Sequence, residues 1–138
     1  MREIELQQAD FRRQPVWRQA FRLTIDVYRM MGAFPALERW EGLAALIRKS
    51  VSSMGAQIAE GCTHAERPES ALFFQIALGC ASELLHHLLV AKELGYISLE
   101  QLDKLESQLA AVRRMLIVHL RELGADTLPD PSLSPFVG

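Results

Sequence analysis

The sequence contains few of the residues that mark disulfide-stabilised, membrane-inserted or phosphate-binding proteins. Its two cysteines are too few for a disulfide framework. No stretch approaches the roughly 18 consecutive apolar residues of a membrane-spanning helix, and no basic start followed by an apolar run indicates a signal peptide. A glycine-rich phosphate-binding loop is also missing. These absences predict a cytoplasmic protein that does not act in a membrane.

An excess of one charge is lacking too, because 15 Lys and Arg against 17 Asp and Glu leave a net charge of −2. This balance argues against an overtly basic nucleic-acid-binding protein. The basic residues are nevertheless unevenly placed, since residues 1–49 carry a net +3 and the remainder −5. Such a region is usually a solvated helix face, but it also supplies candidates for contact with an anionic partner: Arg12, Arg13, Arg18 and Arg22.

The sequence does contain four segments with helical periodicity, at about residues 15–31, 43–60, 68–94 and 98–123. A glycine follows each and is expected to end it: Gly32, Gly61, Gly95 and Gly124. Between the first two helices, Phe34-Pro35 requires extended backbone at Phe34, and Gly42 closes a short turn. Ordinary composition, with 49% hydrophobic and 23% charged residues, fits one domain with a real core.

The fourth helix has the clearest start signal. Ser98 and Gln101 fit a capping box, and Ile97 and Leu102 are spaced for a hydrophobic staple. The apolar seam that follows keeps a strict heptad alternation and consists of Leu102, Leu105, Leu109, Val112, Leu116, His119 and Leu123. Histidine at that seam indicates a packed core residue.

Short connections between long helices favour antiparallel neighbours, so the fold class is all-α and the architecture an up-down-up-down four-helix bundle. The bundle is predicted to span residues 14–124. Residues 1–13 are predicted to be a loosely ordered segment. Residues 125–138 are proline-rich and are predicted to form an extended or disordered tail.

Small residues dominate residues 52–59 of the second helix and residues 77–82 of the third. Glycine inside a helix costs about 1 kcal/mol relative to alanine. Gly55 and Gly79 are therefore predicted to meet at a tight helix crossing, which makes this stretch a packing surface.

Glu60 and Glu83 lie close to these small residues, and a buried carboxylate must be paired or protonated. The sequence predicts a buried polar network of Glu60, Glu83, Gln57, Arg48 and Tyr96, with His87 as a further candidate.

Catalytic and metal chemistry has weaker support. Glu83-x-x-His86 has the spacing used in di-iron bundles, but such sites need a second pair and two more glutamates. Cys62-x-His64 matches no zinc-finger spacing, and the pair lacks an orienting group for nucleophilic catalysis. We expect a protein that is not an enzyme and has no cofactor; the alternative is a metal-binding bundle that uses Glu83, His86 and His87.

Taken in order, several motifs resemble a bacterial four-helix-bundle family whose first members are encoded in intervening sequences of 23S ribosomal RNA genes. They are Val16-Trp17-Arg18-Gln19-Ala20, Phe34-Pro35, Ser52 through Gly61, residues 76–84 and Leu94-Gly95-Tyr96-Ile97. The family typically has S-I-x-x-N-I-A-E-G at the third motif and I-A-x-G-S-x-x-E-L at the fourth. This chain departs from both, with Gln57 at the asparagine and Cys80 at the serine.

The resemblance implies an antiparallel bundle that assembles into a homopentameric ring, and it supplies no catalytic residues. A related group, the accessory proteins of diversity-generating retroelements, is strongly basic and binds nucleic acid. The sequence therefore predicts a non-enzymatic, oligomeric scaffold whose partners are itself and an RNA or a protein.

Overall fold

A computed structural model of the chain describes residues 10–65 and 68–124, and all regular structure within those ranges is helical. A 3-10 turn at Phe11–Arg13 precedes α1 (Pro15–Met30), and a second at Met31–Ala33 follows it. A one-turn helix, α2 (Ala36–Arg39), leads to α3 (Gly42–Thr63), α4 (Glu69–Glu93) and α5 (Leu99–Glu122). The predicted all-helical bundle is confirmed. The predictions for residues 1–9 and 125–138 lie outside the described residues.

Each long helix packs against two others, so the four helices enclose one core. Helix α3 contacts α1 and α4, whereas α5 contacts α4 and α1. The α3–α4 side of the bundle is therefore opposite the side formed by α1 and α5. The largest fully buried side chains come from all four helices and the loop after α1, and include Leu23, Phe34, Ile47, Met54, Ile58, Phe74, Leu84, Leu88, Leu109, Leu116 and Leu120.

Helix α5 begins with the predicted capping box. The Ser98 hydroxyl accepts a hydrogen bond from the Gln101 backbone N–H at 3.1 Å, and the Gln101 side-chain oxygen accepts one from the Ser98 N–H at 2.9 Å. Gly95 and Gly124 adopt positive φ angles of 79° and 74° just past α4 and α5, as predicted.

Helix α1 ends just before Gly32, as predicted, whereas the predicted stop at Gly61 is wrong. Gly32 lies in the 3-10 turn after α1 and is not among the glycines with positive φ in the described chain. Gly61 lies inside α3, which continues to Thr63. A Cβ at Gly61 would come within 2.5 Å of Phe74 Cε1 on α4, so this glycine makes room for an aromatic ring and does not end the helix.

The predicted crossing of Gly55 with Gly79 is also wrong. A Cβ at Gly55 would meet only Thr24 Oγ1 of α1, at 3.9 Å, and a Cβ at Gly79 would meet nothing within 4 Å. Helical periodicity directs Gly55 toward α1 and Gly79 toward solvent. Close approach between α3 and α4 occurs instead where Phe74 covers Gly61.

Candidate functional site

Polar residues from the middle of the chain collect along one side of the bundle. On α3, Ser53, Gln57 and Glu60 recur at steps of three and four residues, which places them on one side of that helix, and His64 follows at the same step directly after its end. The His64 ring stacks on Phe73 of α4 with ring centroids 5.9 Å apart. This side of α3 is therefore the one next to α4.

The matching side of α4 starts at Phe73 and continues, at the same steps, through Ile76, Cys80, Glu83 and His87. We call the surface formed by Ser53, Gln57 and Glu60 of α3 and by Ile76, Cys80 and Glu83 of α4 the α3–α4 face. It holds three of the five residues predicted to form the buried polar network.

The two carboxylates of the α3–α4 face are exposed and separate. Glu60 has one close side-chain contact, with His64 Nε2 at 3.5 Å, four residues further along the chain. Gly61, next to Glu60, lies against Phe74, and Glu83 follows nine residues later, a helix rise of ~14 Å. The predicted buried network is therefore wrong for the single chain, because both carboxylates lie at the outer edge of the helix pair.

The remaining polar residues predicted for the network are not joined to these carboxylates. Gln57 is half-buried, and its Oε1 atom is buried without a hydrogen-bond partner among the described residues. The Tyr96 ring packs on Phe34, with centroids 5.2 Å apart, in the loop region beyond α4. Burial of a polar oxygen without a donor is costly, so Gln57 marks an incomplete part of the α3–α4 face.

The ionisable groups near Glu83 respond to burial and to one another. Burial raises the pKa of the Cys80 thiol, and the negative charge of Glu83 raises it further. Burial lowers the pKa of His87, the neighbouring His86 lowers it further, and Glu83 opposes both. Glu83 therefore lies close enough to Cys80 and to His87 to influence the pKa of each.

Within the described residues there is no group of three or more His, Cys, Asp or Glu side chains arranged to hold a metal ion. Glu83 and His86 are exposed, His87 is half-buried, and the two histidine rings pack edge-on at 5.3 Å. Burial raises the pKa of Cys62 to about 11, so its thiol is protonated near neutral pH and is a poor nucleophile.

The four predicted anion-contact arginines differ in availability. Arg12 pairs with Asp10 at 2.8 Å, which lowers the pKa of Asp10 to about 2. Arg18 donates from Nε to the Arg12 carbonyl at 2.8 Å, while Arg13 and Arg22 are exposed. Arg18 and Arg22 also line an open groove on α1, together with Phe21, Ile25, Asp26 and Arg29.

Sequence reasoning missed the segment between α1 and α3. Arg48 of α3 donates from Nη1 to the Arg39 carbonyl at 2.6 Å and from Nη2 to the Trp40 carbonyl at 3.0 Å. Its guanidinium also lies 5.7 Å from the centroid of the Trp40 ring. Arg48 therefore fixes this loop and takes no part in the predicted network. An unexplained tryptophan ten residues after the end of α1 was the signal available in the sequence.

Helix α4 is unusually apolar for its position. An 18-residue window within it has a mean hydropathy of 1.4, yet only 28% of that window is buried. By length and composition alone it could cross a membrane, a test that core helices of soluble proteins also pass. Its exposed apolar side chains include Leu72, Ile76 and Leu89.

Comparison with known proteins identifies a family for the chain. No curated protein matches the chain at a significant level. The family model described as 23S rRNA-intervening sequence protein matches residues 12–118, which include α1 to α4 and most of α5. The chain therefore belongs to the 23S rRNA-intervening sequence protein family.

Proposed function

We propose that this protein is a non-enzymatic, cytoplasmic scaffold that assembles with itself through the outer surface of α4. The observation that carries the proposal is the mismatch between the hydropathy of α4 and its limited burial. A helix on the surface of a stable monomer is ordinarily polar on its outer side. Exposed apolar side chains along one helix instead mark an interaction surface.

Within this proposal the helices run up, down, up and down, and identical copies close into a ring of five. The topology is supported by short connections between helices that also pack side by side, α3 with α4 and α4 with α5. A pentamer is what the family resemblance implies. Closed cyclic assemblies of identical chains are common among soluble oligomers.

Light scattering combined with sedimentation velocity tests the proposal. We expect a mass near five times the 15.5 kDa of the chain. Ile76→Lys, which places a charge on the outer surface of α4, should shift the distribution to monomer. Leu99→Lys, at an exposed leucine on α5, is the control and should leave the mass unchanged. A wild-type mass that stays at 15.5 kDa at every concentration would reject self-assembly.

The groove on α1 favours a second candidate function, contact with a nucleic acid. Arg18, Arg22 and Arg29 lie along one side of α1, and the Phe21 side chain between them is half exposed. Arginines that neutralise phosphates and an aromatic ring on which a base can stack are the usual elements of such a surface. This surface is carried by α1 and is separate from the outer surface of α4.

A fluorescence-anisotropy titration with structured RNA and with duplex DNA tests this candidate. We expect binding at low salt that weakens steeply at physiological salt. Arg22→Ala should weaken binding, whereas Arg12→Ala should not, because the Arg12 charge is already paired with Asp10. If neither nucleic acid binds at low salt, the second candidate is rejected and the scaffold proposal stands alone.

A further inference from the structure

Two large apolar side chains, one on the one-turn helix α2 and one directly after it, project into solvent. Leu37 is 92% exposed and Trp40 is 73% exposed. They are three residues apart, so they point from the same side of the turn. Tryptophan is among the residues most often found at energetically dominant positions of protein interfaces. We call Leu37 and Trp40 the α2 projection.

The α2 projection is held in place despite its exposure. Besides the two hydrogen bonds from Arg48, Arg39 donates from Nη2 to the Gly32 carbonyl at 3.1 Å. Glu38 accepts a hydrogen bond from the Leu43 backbone N–H at 3.1 Å, and Phe34 is buried just before the segment. Ordering a loop opposes binding, so a loop that is already ordered associates with less loss of entropy. These contacts hold the segment that carries the α2 projection rigidly on the surface of the bundle.

A positive charge contributed by α3 and the indole N–H of Trp40 lie at the α2 projection. The Arg48 guanidinium lies over the Trp40 ring at 5.7 Å and adds a cation to the apolar surface. Among the described residues, Trp40 Nε1 donates no hydrogen bond. A partner for this feature would therefore combine apolar surface, negative charge and a hydrogen-bond acceptor.

The α3–α4 face offers those three properties. Ile76 is 42% exposed on it, and the carboxylates of Glu60 and Glu83 have no Lys or Arg partner within the described residues. The exposed carboxylate oxygens of Glu60 and Glu83 also supply hydrogen-bond acceptors. This chain therefore presents two surfaces of complementary chemistry, and it does not bring them together within one copy, since the α2 projection stays exposed.

We propose that the α2 projection of one copy packs on the α3–α4 face of a second copy, with Trp40 against Ile76 and Arg48 near Glu83. This inference rests on the proposed self-assembly and names the surfaces that meet. Because the two surfaces are different, each copy contacts one neighbour through its α2 projection and the other neighbour through its α3–α4 face. Such head-to-tail contacts close into a ring when the rotation between copies allows it.

Tryptophan fluorescence tests the proposed contact directly. The chain has two tryptophans, so Trp17→Phe leaves Trp40 as the reporter. As the protein concentration rises through the assembly transition, the Trp40 emission should shift to shorter wavelength and quenching by acrylamide should fall. Trp40 that remains equally quenched in the assembled protein would overturn the inference while leaving self-assembly intact.

Paired variants test both surfaces and their head-to-tail arrangement. Trp40→Ala and Ile76→Lys should each raise the dissociation constant of assembly by about 30-fold or more. Mixed in equal amounts, the two variants should form dimers that contain one copy of each, because one intact surface of each kind remains. Circular dichroism checks that both variants stay folded, and Leu99→Ala is the matched exposed-leucine control.

The failures of the two proposals are distinguishable. Normal assembly of Trp40→Ala, or no heterodimer in the mixture, would overturn the named contact and leave the scaffold proposal standing. A wild-type chain that is monomeric throughout would overturn both.

Discussion

The Phe74 ring lies directly on the Gly61 backbone, where the first turns of α4 pack on the last turns of α3. Phe74 is buried, so its ring has little freedom to move aside. The hydroxyl of Ser70, also buried, donates to the Gly61 carbonyl at 2.9 Å in the same region. Gly61, Ser70 and Phe74 therefore fix where α4 begins to pack on α3.

Gly61→Ala is expected to destabilise the folded chain by about 1–3 kcal/mol, because the added methyl group overpacks against Phe74. This loss should outweigh the preference of alanine for helix, about 1 kcal/mol. Gly79→Ala is the control: its methyl group meets nothing within 4 Å, so it should stabilise by up to about 1 kcal/mol. Urea unfolding measures the change in the free energy of unfolding for each variant. Equal changes for Gly61→Ala and Gly79→Ala would mean that the Phe74 ring moves aside for the added methyl group.

Ser98→Ala removes the side-chain acceptor that caps α5. The Gln101 N–H then loses its partner, and we expect a loss of about 1 kcal/mol in the free energy of unfolding. Ser107→Ala, at an exposed position inside α5, should be neutral or slightly stabilising. Thermal and urea unfolding of the two variants provide the comparison. A destabilised Ser107→Ala with an unaffected Ser98→Ala would contradict the capping assignment.

The two thiols should react at very different rates. Cys62 is buried with a pKa of about 11, whereas Cys80 is partly exposed with a pKa raised by burial and by Glu83. Iodoacetamide near neutral pH should therefore modify Cys80 slowly, and Cys62 only after unfolding.

Glu83→Gln removes the charge that raises the pKa of Cys80, so the Cys80 reaction should become faster. Glu93→Gln, further along α4, should leave the rate unchanged. Mass spectrometry of the modified peptides measures each thiol separately. A Cys80 rate that Glu83→Gln does not change would show that the two side chains are not coupled.

His87 should make stability depend on pH. Its pKa is lowered in the folded chain, mainly by burial, so the unfolded chain binds a proton more readily. The contribution of neutral, partly buried His87 to the free energy of unfolding is fully present above the unfolded pKa of about 6.5. It is lost as pH falls from there through the folded pKa. His87→Gln should flatten the stability profile below pH 6.5, measured by urea unfolding at pH 7.5 and 5.5. An unchanged slope would contradict the prediction.

Much of the fold was predictable because its determinants are local. The Ser98 capping box, the proline at the start of α1 and the apolar spacing of each helix depend on residues within a few positions of one another. The strict heptad pattern predicted for α5 was less accurate near the end of that helix. Leu120 is buried, whereas His119 is only partly so and packs on Phe74 at 5.3 Å. A straight helix drifts from a strict seven-residue repeat, so the buried side moves on by one position.

The candidate site was harder to predict because it depends on which side of each helix faces its neighbour. Gln57, Glu60 and Glu83 were correctly expected on adjoining helices, but their depth was not readable from spacing alone. Arg48 points toward the loop that carries Trp40. The sequence patterns of these two segments are unrelated, so neither pattern indicates that the segments are in contact. The contact of Gly61 with Phe74 was equally unpredictable, because a glycine in a sequence does not indicate which side chain will pack on it.

The apolar character of α4 also affects how the chain is made. During synthesis α4 leaves the ribosome before α5, so the sides of α4 that α5 later covers are exposed until residues 99–122 have followed. A helix of this hydropathy is a good target for chaperones and for membrane-targeting factors during that interval. We therefore expect truncation within α5 to produce an insoluble or chaperone-bound chain. The cell would then have to complete α5 before any assembly could begin.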